Sequence, residues 1–406
     1  KSTNNFTKNE IKKIVKPIKF YPNKGNINIK PNVMIFILES MGREYWGSLN
    51  SKKNIPNYKG YTPFLDSLAN HSLRFPNFYA NSRKSIHGMP AILAGIPSFE
   101  TAYTSSAYSN QPVESIVSVT KELGYTTSFF HGASNGSMGF LGFSKTLGFD
   151  NYYGKDEFDN DLEFDGYWGI WDEPFFQFTK EKIDNTKQPF LTTLFSVTSH
   201  EPYIIPEKYE GFFDKGYVPM HKVVGYTDYA LKNFFDEAKK ESWFDNTIFI
   251  FTADHGNQTY YSYYEKIINR FANPLMIYWP KGNLNGVSLK LGQHMDIFPT
   301  IVDLIGYDKP FRSWGKSLIS DTETDSFVVN YFGGGSYFMM NEDYTVVSNG
   351  EKITGFYNSN DRGLEINLIN MPNIDMENLA LKFQVFLEDY MNRVVEGDMF
   401  YNDNND

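Results

Sequence analysis

The sequence predicts an α/β fold: a mostly parallel central sheet flanked by helices, with a small C-terminal subdomain of antiparallel β plus a helix. Three observations predict it. Short unbroken apolar runs, VMIFIL at 33–38, PFLTTLFSV at 189–197 and TIFIFTA at 247–253, read as strands buried on both faces, as in parallel sheets. Amphipathic helical segments alternate with such runs from about residue 32 to about residue 306. From about 321 the texture changes to short β-like pieces followed by one helical stretch near 376–395.

Taken in order, residues 1–30 are Lys- and Asn-rich with little apolar periodicity and read as an extended, basic lead-in or juxtamembrane linker. The main unit is expected over 31–320. Its first strand, 33–38, ends in Glu39, Ser40, Met41 and Gly42. A helix follows at 62–72, with Thr62 as N-cap, Pro63 at the first helical position and Phe64, Leu65, Leu68 and Ala69 on one face. Residues 74–80 read as a strand, and a helix is expected to start at or just after Ser85. Then come a helix near 113–123, a strand at 126–133, and a glycine-rich turn leading into a helix. An aromatic loop, GYWGIWDEPFFQF, leads to the 189–197 strand and the polar corner TSHEPY at 198–203. A helix at 222–240, the 247–253 strand, a strand at 274–280 and a helix at 295–306 complete the alternation. In the 321–406 subdomain FVVNYF, YTVVSNGEKITGFYN and LEINLI read as strands, and the tail EGDMFYNDNND as frayed.

The 406 residues contain no cysteine, which excludes disulfides, thiolate metal sites and cysteine nucleophiles. An aromatic share of 17% argues for a filled core and against disorder. Residues 1–30 carry eight Lys against one Glu, so with a formal charge of −10 overall the remaining chain carries −17. An acidic body excludes nucleic acid as a natural partner, while a basic arm suits anionic lipid or a solvated linker. No run approaches the ~18 apolar residues of a membrane span. The sequence opens on Lys1, and an anchoring segment upstream of it is expected.

The strand at 247–253 runs into Asp254, His255 and Gly256, a carboxylate and an imidazole at a strand end followed by a residue that lets the backbone turn away. With Glu39 at the end of the first strand and the Ser85 hydroxyl at a helix start, an open α/β sheet gathers four ligand-type side chains on one rim. Two acidic oxygens, one imidazole and one hydroxyl suit a single divalent ion such as Zn²⁺ or Mn²⁺. Ser85 in that setting reads as an activated nucleophile, with Ser82 as the fallback. Arg83 and Lys84 put positive charge beside it, suited to phosphate. Trp168, Trp171 and Asp172 line a cleft or plug the fold, His294 serves the site or its helix start, and His87 reads as a surface residue of a first turn.

The segments NVMIFILES, GYTPFLDSLANHSLRFPNFYANSRKSIHGMPAILAGIPS, FFHGASNGSMGF, WGIWDEPFF, SVTSHEPY, FTADHG and HMDIFPTIVDLIG, in that order over roughly 31–318, resemble the sulfatase-like branch of the alkaline phosphatase superfamily. Within it they look most like the extracellular domain of lipoteichoic acid synthase and related phosphoglycerol transferases, with the texture of Bacteroidetes-type members. The resemblance implies that Glu39, Ser85, Asp254 and His255 hold one ion (Mn²⁺, or Mg²⁺, Ca²⁺ or Zn²⁺), that Ser85 is the nucleophile and that His200 contacts the headgroup. It implies a phospholipid headgroup donor, of phosphoglycerol or phosphoethanolamine type, and transfer to a glycan or lipid acceptor. It also implies upstream membrane helices and a place on the extracytoplasmic face of the cytoplasmic membrane. Where the family has an aromatic residue and an arginine, this chain offers His131, Asn135 and Ser137, so the headgroup and acceptor are expected to differ.

Two further readings differ in class. A hydrolase of the same superfamily uses water as acceptor; a true sulfatase among these needs a Cys or Ser followed by x-Pro-x-Arg, whereas Ser85 is followed by Ile86, His87, Gly88 and Met89. Two-metal phosphatases carry an Asp four residues before a mid-chain His, where this chain has Ser196 before His200. A non-catalytic glycan- or headgroup-binding module is the other reading, against which stands the retention of all four ligand-type residues.

Overall fold

The strands of the main sheet, in chain order, are β1 (Asn32–Leu38), β2 (Leu73–Arg74), β3 (Thr126–His131), β4 (Asn151–Tyr153), β5 (Phe190–Phe195), β6 (Thr247–Ala253), β7 (Leu275–Tyr278) and β8 (Gly286–Val287). The structure, a computed structural model, describes residues 5–22 and 30–402. Across the sheet the order is β8-β2-β7-β6-β1-β5-β3-β4. Every strand runs parallel to β1 except β7, which is antiparallel to both β6 and β2. The reason lies in the chain after β6: residues 254–274 hold only short helical turns and no crossover helix, so the chain re-enters the sheet from the rim it left. The expected strand at 74–80 is two short pieces, Leu73–Arg74 and Phe78–Tyr79, interrupted at Pro76, which has no N–H to give a ladder.

Every residue of β1 and β6 is buried. Val33, Ile35 and Ile37 face one core and Met34, Phe36 and Leu38 the other, the period-2 alternation of a strand covered on both sides. The first core takes in the Ser85–Ala94, Ile116–Glu122 and Ile297–Leu304 helices; the second takes in the Pro63–Leu68, Asp172–Asp184 and Met220–Ala238 helices. Each such aliphatic side chain contributes about 1.5–3 kcal/mol on burial. Phe36 stacks on Phe251 with centroids 5.0 Å apart, fixing the β1/β6 pair at its middle.

Beyond residue 327, four strands, Val328–Gly333, Ser336–Met340, Tyr344–Ser348 and Ile353–Asn358, form an antiparallel sheet in sequence order. The second of these was not expected. LEINLI, expected as a strand, is instead a series of turns. Asp361 accepts from the Glu365 and Ile366 N–H groups, and Asn367 from those of Phe356 and Ile369, so side chains take up the donors a ladder would use. The terminal helix, Ile374–Glu396, starts with Asn373 accepting from Met376 N, and its Phe383, Val385 and Phe386 enter the first core.

Both ends differ from expectation. Lys8–Ile14 is a helix with a Thr7/Glu10 capping box, and Ile18–Lys19 pairs with Phe311–Arg312. Phe6, Ile11 and Ile14 pack on the first core, and Glu388 of the terminal helix accepts from the Asn5 and Phe6 N–H groups. The lead-in is therefore not extended over 8–14; residues 1–4 and 23–29 of it lie outside the described residues. The start of the tail is also docked: Met399 is buried and its carbonyl accepts from Arg312 Nε.

Candidate metal centre and nucleophile

In the β1/β6 register Leu38 lies opposite Ala253, so the next residues, Glu39 and Asp254, leave the sheet side by side at its C-terminal rim. Glu39, Asp254 and His255 place ligand atoms within 4.8 Å of one another, the one such group of His and acidic residues among the described residues. The Ser85–Ala94 helix then brings Ser85 Oγ to 3.1 Å from Glu39 Oε2, 3.2 Å from Glu39 Oε1 and 3.1 Å from His255 Nε2. Ser85 is the first helical residue; the N-cap is Lys84 and makes no side-chain capping bond. Ser82 turns elsewhere: its Oγ donates to Lys84 O and accepts from Lys84 N.

Backbone contacts aim these groups. Glu39 N donates to Ser196 Oγ at 2.8 Å, and Ser199 Oγ donates to Glu39 O. Ser40, at φ +58, donates its N–H to Asp254 Oδ1 at 2.7 Å and its hydroxyl to Glu39 Oε1 at 2.8 Å. A left-handed non-glycine residue costs about 1–3 kcal/mol, and here it turns both groups onto the ligand atoms. Gly88 admits the helix: a Cβ there would lie 3.0 Å from Asp254 Cβ and 3.2 Å from its Cα. Ser196, Ser199, Ser40 and Gly88 were not singled out from the sequence as site residues. Small polar residues at strand ends are too common to mark, and only the fold shows what they touch.

The donor set fits a divalent cation on three counts. Asp254 Oδ1 accepts from Ser40 N and His255 N, but the fully buried Oδ2 has no hydrogen-bond partner. His255 Nδ1 lies 2.6 Å from the Gly256 carbonyl, which can only accept; Nδ1 therefore carries the proton, and Nε2 offers its lone pair inward. Burial first, and the neighbouring Asp254 charge second, push the Glu39 carboxyl well above the usual carboxylate range. Two buried carboxylates with one orphan oxygen and no cationic side chain between them are relieved by a cation at their centre.

His200 lies on the corner after β5, next to Ser199, whose hydroxyl donates to Glu39 O, with Trp168 tilted against its ring at 4.0 Å. Tyr203 on the same corner donates to Asn257, and Asn257 Nδ2 donates to Ser40 Oγ, so the corner is wired to the Glu39 side of the site. Arg83 and Lys84, both exposed, border a cleft of about 350 Å³ together with His87. His87 is 8% exposed, not a surface residue, and burial holds its pKa down to about 4.

Four other residues read as substrate contacts make structural contacts instead, and for Trp171 and His294 a structural role is the alternative left open by the sequence. His131 is 1% exposed, packed on Phe140 and Phe195, with its pKa lowered to about 3 by burial. Asn135 lies on a surface turn with its amide on Glu157. Trp171 packs against Tyr226 in the second core, so it plugs the fold; the adjacent Asp172, fully buried, accepts from Val197 N and Thr198 N. His294 is buried, with Nδ1 accepting from Asn81 N and Nε2 2.8 Å from Ala253 O; it ties the end of β6 to the segment before Ser85.

A mixed α/β sheet carrying buried oxygen and nitrogen ligands beside a helix-start hydroxyl defines a metal-dependent hydrolase or transferase of the alkaline phosphatase type. Residues 31–307 match the sulfatase family, and the chain belongs to it. Lipoteichoic acid synthase 1 of Bacillus subtilis (strain 168) is 26% identical over 347 residues, covering 75% of this chain and 53% of that protein. Lipoteichoic acid synthase 2 of the same organism is 23% identical over 407 residues, covering 93% and 60%. The chain thus spans about half the length of the curated relatives it matches. Among solved structures, an alkaline phosphatase superfamily protein from Vibrio parahaemolyticus superposes with a TM-score of 0.80 at 25% identity, over 97% of this chain and 93% of that one. The lipoteichoic acid synthase LtaP of Listeria monocytogenes gives 0.76 at 20% identity, over 96% and 98%, a likeness of fold. Proteins of this family are enzymes, and the Glu39, Asp254 and His255 group is a candidate for the divalent metal that such enzymes use. No described helix is long and apolar enough to cross a membrane.

Proposed function

We propose that this protein transfers a phosphoglycerol- or phosphoethanolamine-type headgroup from a phospholipid, by way of a phosphoserine-type intermediate on Ser85, to a hydroxyl of a glycan or lipid acceptor. The observation that carries it is Ser85 Oγ hydrogen-bonded to Glu39 within reach of His255 Nε2, at a helix start and over the single ligand cluster among the described residues. Glu39, Asp254, His255 and Ser85 would hold the ion, Mn²⁺ foremost. When bound, it supplies the positive charge that favours an ionised hydroxyl and phosphoryl oxygen.

The chain's own groups supply the rest. The Ser85 hydroxyl donates to Glu39, which leaves an Oγ lone pair free for the phosphorus. The Oγ–P bond forms as the P–O bond to diacylglycerol breaks, and the proton Ser85 gives up ends on the departing diacylglycerol oxygen; in the second half an acceptor hydroxyl oxygen displaces Ser85 Oγ from phosphorus, and its proton returns Ser85 to the free hydroxyl. Amides of the first turn favour the phosphoryl oxygens, and Arg83 and Lys84 add charge at its edge. His200, held by Trp168, positions the headgroup. A single ligand cluster among the described residues supports a phosphodiester substrate over a monoester. By the same reading the enzyme works on the extracytoplasmic face of the cytoplasmic membrane, where its phospholipid donor would lie.

Incubating the Mn²⁺-loaded protein with fluorescent phosphatidylglycerol and phosphatidylethanolamine, with and without glycan, tests this. Diacylglycerol release by wild type but not Ser85→Ala is expected; equal release by both rejects the role of Ser85. Headgroup found only in free form, with glycan present, assigns a hydrolase instead.

A further inference from the structure

Between the Pro63–Leu68 and Met220–Ala238 helices lies a cavity of about 720 Å³ that the chemistry above does not use. That is within the roughly 300–1,000 Å³ of ligand sites. Six rings wall it: Tyr61, Phe64, Phe212, Phe213, His221 and Tyr229. Its acids are engaged within the protein. Asp66 accepts from Ser48 N at 2.8 Å, Asp214 pairs with Lys59 and takes Gly216 N at 2.8 Å, and Asp228 accepts from Phe64 N at 2.8 Å and Leu65 N at 3.0 Å. An apolar wall with its carboxylates satisfied favours hydrocarbon over a hydrated or ionic guest.

Chain and hydrogen bonds link the cavity's wall to the catalytic rim. Residues 196–219 carry His200 near one end and Phe212 and Phe213 near the other. Gln258, three residues past His255, accepts from Met220 N through Oε1 at 3.0 Å and from the Tyr45 hydroxyl through its carbonyl. Phe212 is 66% and Tyr217 61% exposed, which gives the cavity an apolar surround open to solvent and hence to a lipid layer.

We propose that this cavity binds one acyl chain of an amphiphile whose polar end lies at Ser85, an inference that rests on the phospholipid reading above. A chain held there lifts the scissile phosphate out of the lipid layer toward Ser85, and the exposed aromatics carry it across the interface.

The test is a fluorescence titration of the full chain with cis-parinaric acid, in wild type, Ser67→Trp and Gly225→Leu. Ser67 is an exposed lining residue, and a Cβ at Gly225 meets Phe213 at 3.4 Å, so both substitutions fill the cavity from its wall. Saturable one-to-one binding is expected, weakened about tenfold or more in Ser67→Trp, with turnover of the soluble diester bis(p-nitrophenyl) phosphate unchanged. Absence of saturable binding, or equal affinity in wild type and both variants, overturns the proposal. Preferential binding of anilinonaphthalene sulfonate assigns the cavity to planar aromatic ligands and also overturns it. Parinaric acid binding that Ser67→Trp abolishes, without diacylglycerol release from any phospholipid, supports the chain site and rejects the phospholipid donor.

Discussion

Asp254 Oδ2 and His255 Nε2 are 3.3 Å apart, and the proton on the imidazole is held on the other nitrogen by Gly256 O. The segment that carries this pair passes close to Gly42, where an added Cβ would lie 2.7 Å from Gly256 Cα. At this scale two outcomes are expected. Ser85→Ala removes the nucleophile and lowers headgroup release by more than about 10³-fold while leaving the melting temperature near that of wild type. Asp254→Asn keeps the shape but exchanges the orphan oxygen's charge for a neutral amide. Elemental analysis after Mn²⁺ loading and desalting then finds well under one ion per chain, against one in wild type. Retention of a full ion by the Asn variant contradicts the ligand assignment. The four residues that the structure gathers were visible in the sequence because each stands at the end of a strongly patterned strand or helix. The buried positions of His131 and His294 were not visible, since a histidine next to apolar residues reads alike whether it faces a substrate or a core.

Elements set how far the groups are from one another. The Ser85–Ala94 helix approaches β6 across Gly88, and an added methyl meets Asp254 backbone and side chain at 3.0–3.2 Å, contacts that the neighbours relieve only by shifting. Gly88→Ala is expected to move Ser85 by a few tenths of an ångström, lowering turnover roughly tenfold or more, and to cost about 1–3 kcal/mol of stability. Paired kinetic and thermal-melting measurements check it; unchanged turnover contradicts the close-approach account. Strands buried on both faces, such as β1, β5 and β6, and the long Met220–Ala238 and Ile374–Glu396 helices were legible from apolar pattern alone. The direction of β7 was not, because an apolar run looks the same in either orientation and the decision lies in the connection before it. LEINLI failed for a local reason: Asp361 and Asn367 compete for the backbone donors.

Over the whole molecule, buried titratable groups oppose one another. Burial lowers His131 to about 3 and His221 and His294 to about 4, so between pH 6.5 and 4 the unfolded chain takes up protons that the folded one refuses, and stability falls as pH falls. Burial raises Glu44, Asp228 and Asp296 to about 7, so from pH 7 down to about 4 the folded chain takes up protons first, and stability rises as pH falls. The two sets act in opposite directions across that window. Asp228→Asn removes one member of the second set, and its melting temperature falls faster on acidification than that of wild type. Parallel pH curves for the two proteins contradict this. The same scale explains the N-terminal discrepancy: the basic composition of residues 1–30 hid a capped helix that meets the first core through Ile11 and Ile14 and the flanking Phe6 and Val15. Its docking depends on the distant terminal helix, which no local pattern reveals.

The central claim is that Ser85 carries the headgroup phosphate between donor and acceptor. The direct measurement is peptide mass spectrometry on Mn²⁺-loaded protein quenched in acid after brief incubation with phosphatidylglycerol or phosphatidylethanolamine and no acceptor. The account predicts a headgroup phosphoester on Ser85 that disappears when acceptor is added before the quench. Diacylglycerol release without any adduct on Ser85, or with the adduct on another residue, would contradict it.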